Sequence, residues 1–376
     1  MNYSFSEKSL GVDFCQDIIN SIKIASNKGS SLALVGMPLV GNITFCRFLA
    51  TTGIAYFAYV DTQSLKNKTR NDLFISLYNE LEGNNLKKAL LNPFEECKNR
   101  IRQLVKSHKN IIIIITRIDY MKEELDKGLL ANLKSIMDIH VGKITFIVTA
   151  NQPLNKISST ALYHNPSFLS DNIYFQPFQE NDFKKLLSFL PGAKNTNKKE
   201  LVTIQILSGG HICLMWQLLK TEYLDSPMDD DIIQLHLKTI YDAYSTLQKT
   251  QLRKIASGRK IKNVDPFLLK IGLVKELGEE KYELFTPLLR DYILTYAHTK
   301  LTRKERKLFY LLKKRLDKLV TKDEIFEEVW GDDPDLGSDW ALNSLIYRLR
   351  KNPTFVSKGY VIENEKDEGY KMIKEN

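Results

Sequence analysis

The chain has 376 residues, 43% of them hydrophobic and 26% charged, with only 18 Gly and 11 Pro. This excludes collagen-like, low-complexity and disordered chains and leaves enough core-forming material for two to three domains. Lys+Arg is 54 against 45 Asp+Glu, and the resulting net charge of +9 permits a nucleic-acid partner without demanding one. The longest purely aliphatic run, Ile111–Ile115, is far short of the ~20 residues that span a bilayer. The first residues show neither a basic nor an apolar secretory segment. Cys15, Cys46, Cys97 and Cys213 have no metal-finger or redox spacing. The expectation is a cytoplasmic protein with reduced thiols and no membrane segment.

Taken in order, short β-branched or aromatic runs stand at Ser31–Val35, Ala55–Val60, Ile111–Ile115, Ile144–Thr149 and Ile173–Phe175. Amphipathic helical stretches such as Asn71–Leu81 and Lys122–Ile139 separate them. Strands apolar on both faces and joined by helices predict a parallel sheet covered on both sides. From Phe178 the strands stop. Glu180–Phe189 and Lys199–Tyr223 read as helices broken by a loop at 191–197, and Asp230–Leu273 reads as helical and basic, ending in a strand pair near Val274–Phe285. The first strand runs into Gly36-Met-Pro-Leu-Val-Gly41-Asn42-Ile-Thr44. This is the glycine spacing of a phosphate-binding loop, G-x-x-x-x-G-K-S/T, in which backbone N–H groups and a helix N-terminus cradle phosphates. Gly36, Gly41 and Thr44 keep their places, but the Lys position holds Asn42.

The third strand is followed by Thr116-Arg117-Ile118-Asp119-Tyr120-Met121. This resembles the Walker B segment of AAA+/STAND ATPases, where five apolar residues precede Asp-Glu-Ile-Asp-Tyr-Leu. In that register Thr116 replaces the metal-organising Asp and Arg117 the catalytic Glu, while Asp119 lies three positions further on and is not credited with metal binding. The fourth strand with Asn151, the stretch from Ala161-Leu-Tyr-His-Asn-Pro to Ile173-Tyr-Phe-Gln-Pro-Phe, and Leu207-Ser-Gly-Gly-His211-Ile212 resemble the family's sensor strand, its entry into a helical lid and its Gly-Gly-His-Pro turn. Residues 230–294 resemble the winged helix that commonly follows. The resemblance covers roughly residues 10–295 and implies a P-loop-like fold that has lost the Lys and both acids of hydrolysis. The alternative is an unrelated Rossmann-like domain with a glycine turn.

The last segment begins Leu301-Thr-Arg-Lys-Glu, where Thr302 and Glu305 have capping-box spacing, and Thr321 with Glu324 repeats the device. A third helix is predicted over roughly Asp339–Lys351, followed by alternating runs at Tyr360 and Tyr370. Helix, helix, helix and hairpin make a winged helix. The segments Leu301-Thr-x-Lys-Glu, Val329-Trp330-Gly331, Ile346-Tyr-Arg348-Leu349-Arg350-Lys351 and Gly369-Tyr370 resemble the OmpR/PhoB-type DNA-binding domain in order and spacing. At 100° per residue, Leu342, Leu345, Ile346 and Leu349 share one side of the third helix. Trp340, Ser344, Tyr347 and Lys351 centre on the other, flanked by Asn343, Arg348 and Arg350. That outer face suits a major groove, with Asn343, Tyr347 and Arg350 towards base edges and Arg348 and Lys351 towards phosphates. Against it, the hairpin carries Glu363, Glu365, Lys366, Asp367 and Glu368, and residues 301–376 hold 16 Lys+Arg and 15 Asp+Glu. The stretch Lys249–Lys275 has eight cations and one acid, so Arg259, Lys260 and Lys262 are further candidate DNA contacts.

The expected architecture is an α/β parallel-sheet P-loop-like domain (1–176), a helical lid (177–225), a winged-helix-like domain (226–299) and an OmpR/PhoB-type winged helix (300–376). The expected function is a DNA-binding transcriptional regulator, not an enzyme, whose degenerate ATPase-like module senses or oligomerises. Double-stranded DNA is the expected partner. No cofactor or metal is expected, although the backbone of residues 36–44 leaves metal-free nucleotide binding open. The alternative is a subunit of a larger defence or signalling assembly whose winged helices bind protein, and a protein partner or self-association stays open. An active ATPase is disfavoured by Asn42, Thr116 and Arg117.

Overall fold

The computed structural model describes residues 6–83, 91–108, 110–121, 123–158, 168–190, 193, 196–295, 302–331, 337–352, 355, 359–365 and 368–374. Parts of several sequence readings lie outside them: residues 161–166 of the lid approach, most of the loop 191–197, Leu301, and Lys366 with Asp367 in the hairpin. The chain divides into two compact units, Met1–Arg290 and Asp291–Asn376.

In the first unit, strands β1 (Leu32–Gly36), β2 (Tyr56–Asp61), β3 (Ile111–Thr116), β4 (Ile144–Ala150) and β5 (Asp171–Phe175) form one sheet in the order β2-β3-β4-β1-β5. All its pairings are parallel. Every residue of the three central strands is buried, as a sheet covered by helices on both faces requires. The sheet is flanked by helices α1 (Gln16–Asn27), α2 (Asn42–Leu49), α3 (Arg70–Leu81), α4 (Pro93–Ser107) and α5 (Lys127–Met137). Helix α5 is shorter than the predicted Lys122–Ile139: Asp126 caps its start by accepting from the Leu129 N–H, and Ile118–Met121 forms a separate 3-10 turn. Parallel pairing brings the carboxyl ends of β1, β3 and β4 to one edge, where open α/β sheets present ligand-binding loops.

The lid follows as α6 (Glu180–Phe189), α7 (Lys198–Ser208) and α8 (Ile212–Leu218). The predicted single helix Lys199–Tyr223 is thus divided. Gly209 and Gly210 adopt φ of +56° and +84°, and a Cβ on Gly210 would stand 2.3 Å from the Phe178 carbonyl oxygen. Only glycine fits such a turn. Helices α9 (Asp231–Asp242), α10 (Thr246–Ala256) and α11 (Pro266–Lys270) precede the antiparallel pair β6 (Val274–Gly278) and β7 (Lys281–Leu284). This is the order of a winged helix. Helix α12 (Pro287–Thr295) follows.

The second unit contains α13 (Arg303–Lys314), β8 (Leu319–Thr321), α14 (Lys322–Trp330), α15 (Asp339–Arg350), β9 (Tyr360–Glu365) and β10 (Gly369–Lys374), with sheet order β8-β10-β9. Both predicted capping boxes form, at Thr302 with Glu305 and at Thr321 with Glu324. Leu342, Leu345, Ile346 and Leu349 are all buried, and they pack with Leu308, Leu312, Trp330 and Met372 in one core. Among the described residues no helix is long and apolar enough to cross a membrane.

Candidate functional site

The loop after β1 is largely buried: Met37 and Val40 are inaccessible and Asn42 nearly so, whereas Leu39 is exposed. Gly41 has φ +121°, and a Cβ there would lie 2.4 Å from Phe178 Cε2 and 3.2 Å from Ile212 Cγ2. The glycine is therefore needed for close approach of the lid. Phe178 stacks on Phe14 at 5.7 Å and meets Phe175 edge-on at 5.4 Å. Its N–H donates to the Gly210 carbonyl at 3.0 Å. From the same turn, buried His211 lies with Nε2 2.9 Å from the Pro38 carbonyl oxygen. Its Nδ1 accepts from the Leu214 N–H at 3.4 Å. Nε2 is therefore the protonated nitrogen of a neutral ring, and burial pulls its pKa from 6.5 down to about 4. Asn42 uses its own Oδ1 to accept the Ile43 N–H at 2.9 Å, one of the free donors at the start of α2.

At the ends of β2, β3 and β4 a polar network joins the strands. Arg117 Nη1 donates to both oxygens of Asp61 at 3.0 and 2.9 Å. The Arg117 N–H donates to Thr149 Oγ1 at 2.8 Å and its carbonyl accepts from Thr62 Oγ1 at 2.6 Å. These bonds hold Arg117 at φ +57°. Thr116 is fully buried, its hydroxyl 3.4 Å from that of Tyr59. Asp119 accepts from Asn151 Nδ2 at 2.9 Å, while its other oxygen is buried without a hydrogen-bond partner. Burial pushes this carboxyl upward from its ordinary pKa, against the bonds from Asn151. Among the described residues, no group of three or more His, Cys, Asp or Glu is arranged to hold a metal ion.

In the second unit, α15 presents Trp340 and Tyr347, which are 80% and 58% exposed. Lys351 Nζ lies 4.7 Å from the Tyr347 ring centroid. Asn343 shares this outer side, with its Oδ1 accepting the Tyr370 hydroxyl at 2.7 Å. Arg350 is exposed as well, but bound to the hairpin. Its Nε and Nη2 donate to the Ile362 carbonyl at 3.0 and 2.7 Å, because the residue borders the apolar stripe and leans onto β9. Arg348 is tied to the capping Glu305 at 2.5 Å and to Ser344 Oγ at 3.0 Å. Glu363, Glu365 and Glu368 are exposed on the hairpin.

The basic stretch is divided by use. Lys249 pairs with Asp242, Arg253 donates to the Tyr241 hydroxyl and Lys270 lies over Tyr174. Arg259, Lys260 and Lys262 are exposed in the turn leading to α11. The sequence reading missed Phe178 as the cover of Gly41, Asp61 as the partner of Arg117 and Tyr370 as the support of Asn343. Phe178 and Tyr370 stood in segments already singled out, the strand-to-lid passage and the Gly369-Tyr370 pair, whereas Asp61 did not.

The family described as transcriptional regulatory protein, C terminal, matches residues 297–372. Residues 297–372 carry an OmpR/PhoB-type domain. A Walker-type ATPase of Pyrococcus abyssi is similar in fold, with 16% sequence identity, a TM-score of 0.50 and coverage of 75% of this chain and 95% of that one. The ORC2 protein of Aeropyrum pernix matches at 14% identity and TM-score 0.45, over 74% of this chain and 92% of that one. The first of these likenesses shows a Walker-type ATPase fold for the parallel sheet and its helices, and nothing of activity. Comparison with curated proteins found no match.

Proposed function

We propose that the protein is a cytoplasmic DNA-binding transcriptional regulator whose ATPase-like module senses, oligomerises or docks without hydrolysing ATP. The observation that carries the DNA-binding part is the OmpR/PhoB-type domain with the outer side of α15 open to solvent. A helix bearing an amide, a lysine and aromatic rings on its exposed side suits a major groove. Arg259, Lys260 and Lys262, exposed ahead of α11, suit phosphate contact in the first unit.

The pseudo-ATPase part is supported by what fills the loop region. The residues do not fit a magnesium–nucleotide. Asn42 brings no charge to neutralise phosphates and turns its oxygen onto the Ile43 N–H at the start of α2. Phe178 packs so closely on Gly41 that a Cβ there would clash with its ring. Thr116 offers no carboxylate, and Arg117, spent on Asp61, can neither orient nor deprotonate water.

The acidic hairpin and the exposure of Trp340 favour a second reading, in which the terminal domain binds protein. A gel-shift series across salt separates the two. Specific binding with a steep salt slope supports the regulator, and its absence at low salt supports the protein partner.

A further inference from the structure

The terminal domain's own hydrogen bonds decide which chemistry α15 has left to offer. Guanine is most often read by an arginine reaching O6 and N7 together. Both arginines of α15 are exposed, yet each already gives two of its nitrogens to the domain: Arg350 through two bonds to the Ile362 carbonyl, and Arg348 through Glu305 and Ser344. Asn343 is exposed and has its carbonyl oxygen occupied by the Tyr370 hydroxyl, so its remaining polar group is the Nδ2 donor. What remains on the open side is two large rings, Trp340 and Tyr347, one amide donor, and a lysine seated over the tyrosine ring.

The apolar feature that a base pair shows in the major groove is the C5-methyl of thymine. We propose that α15 is a thymine reader: Trp340 and Tyr347 contact thymine methyl groups, and Asn343 Nδ2 donates to an adjacent base acceptor. This rests on the DNA-binding reading above. Trp340 and Tyr347 are seven residues apart, about 10 Å along a helix. With base pairs about 3.4 Å apart along the duplex, that separation spans about three steps. Two thymines about three base pairs apart are therefore the expected pattern. Lys351 stacks on Tyr347, orders the ring and carries its own charge towards the phosphates.

The test uses the full chain and deoxyuridine, which differs from thymidine only by the methyl group. A site is first enriched from a random duplex pool, and each thymine in it is then replaced singly. Two positions should each lose about four-fold in affinity, the worth of one buried methyl. Trp340→Ala should abolish the penalty at one position and Tyr347→Ala at the other. Both variants should keep the wild-type circular dichroism, since both side chains are exposed. A site indifferent to every replacement, or an undiminished penalty in both variants, overturns methyl reading while DNA binding stands. A pool in which nothing is enriched overturns the DNA-binding reading and this inference with it.

Discussion

His211 Nε2 and the Pro38 carbonyl oxygen, 173 residues apart in sequence, lie 2.9 Å from one another and join the lid's glycine turn to the loop after β1. The ring is buried and neutral, and its pKa is held near 4, first by burial and then by the nearby His236 charge. An unfolded histidine titrates near 6.5. The unfolded chain therefore binds more protons between the two values, and stability falls as the pH drops from about 6.5 towards 4. The loss should reach up to about 3 kcal/mol. His211→Gln should flatten this part of the pH profile in urea unfolding, whereas an identical profile in the variant would show that the ring is not the group responsible.

The loop region predicts no ATP hydrolysis. Phosphate release should match buffer with or without Mg²⁺. Asn42→Lys alone should not create activity, because Thr116 and Arg117 still supply neither acid. Turnover near ~1 per second that disappears on Thr44→Ala would contradict the pseudo-ATPase reading.

Arg117→Glu would restore an acid at the catalytic position of the ATPase pattern, yet it should fail as a rescue. The new carboxylate would face Asp61, whose two oxygens now take the Arg117 guanidinium. Breaking this partly buried pair and opposing like charges should destabilise the first unit by roughly 1–4 kcal/mol. Thermal unfolding gives the readout, and an unchanged melting temperature would contradict the structural role assigned to the pair.

If Arg259, Lys260 and Lys262 touch phosphates, replacing all three by alanine should weaken binding to every duplex alike. The slope of log K against log salt should then become shallower by ~0.9 for each phosphate that is no longer neutralised. A constant slope would leave the three as solvated charge.

Much of the architecture was legible locally. The five strands announce themselves because burial on both faces demands unbroken apolar runs such as Ile111–Ile115. The caps at Thr302 and Thr321 depend on residues three positions away and are readable for the same reason. The outward side of α15 follows from helical period, as the burial of Leu345 and Leu349 bears out. Other features depend on partners far along the chain. Nothing local to Gly41 says that Phe178 lies over it, nor does anything near Arg117 point to Asp61. The bond from Arg350 to the Ile362 carbonyl likewise depends on a strand that nothing near Arg350 announces. The break in Lys199–Tyr223 was legible in the Gly209-Gly210 pair, read as a turn by resemblance even while helical period ran one helix across it.

Core and surface of α15 should separate cleanly in stability measurements. Leu345→Ala or Leu349→Ala removes a buried side chain and should cost ~2–5 kcal/mol. Lys351→Ala removes an exposed one and should stay within ~0.5 kcal/mol. Comparable losses in both classes would mean that the outer side is covered by another part of the folded protein.

The most direct test of DNA reading by the terminal domain is selection of bound sequences from a random duplex pool, using the full-length wild type, Asn343→Ala and Lys351→Ala. The wild type should enrich one site. Asn343→Ala should lose ~0.5–1.5 kcal/mol there and relax preference at a single position, while Lys351→Ala should weaken all sequences alike. Failure of the wild type to enrich any sequence, or enrichment of the same site at the same affinity by Asn343→Ala, would contradict DNA reading by this helix.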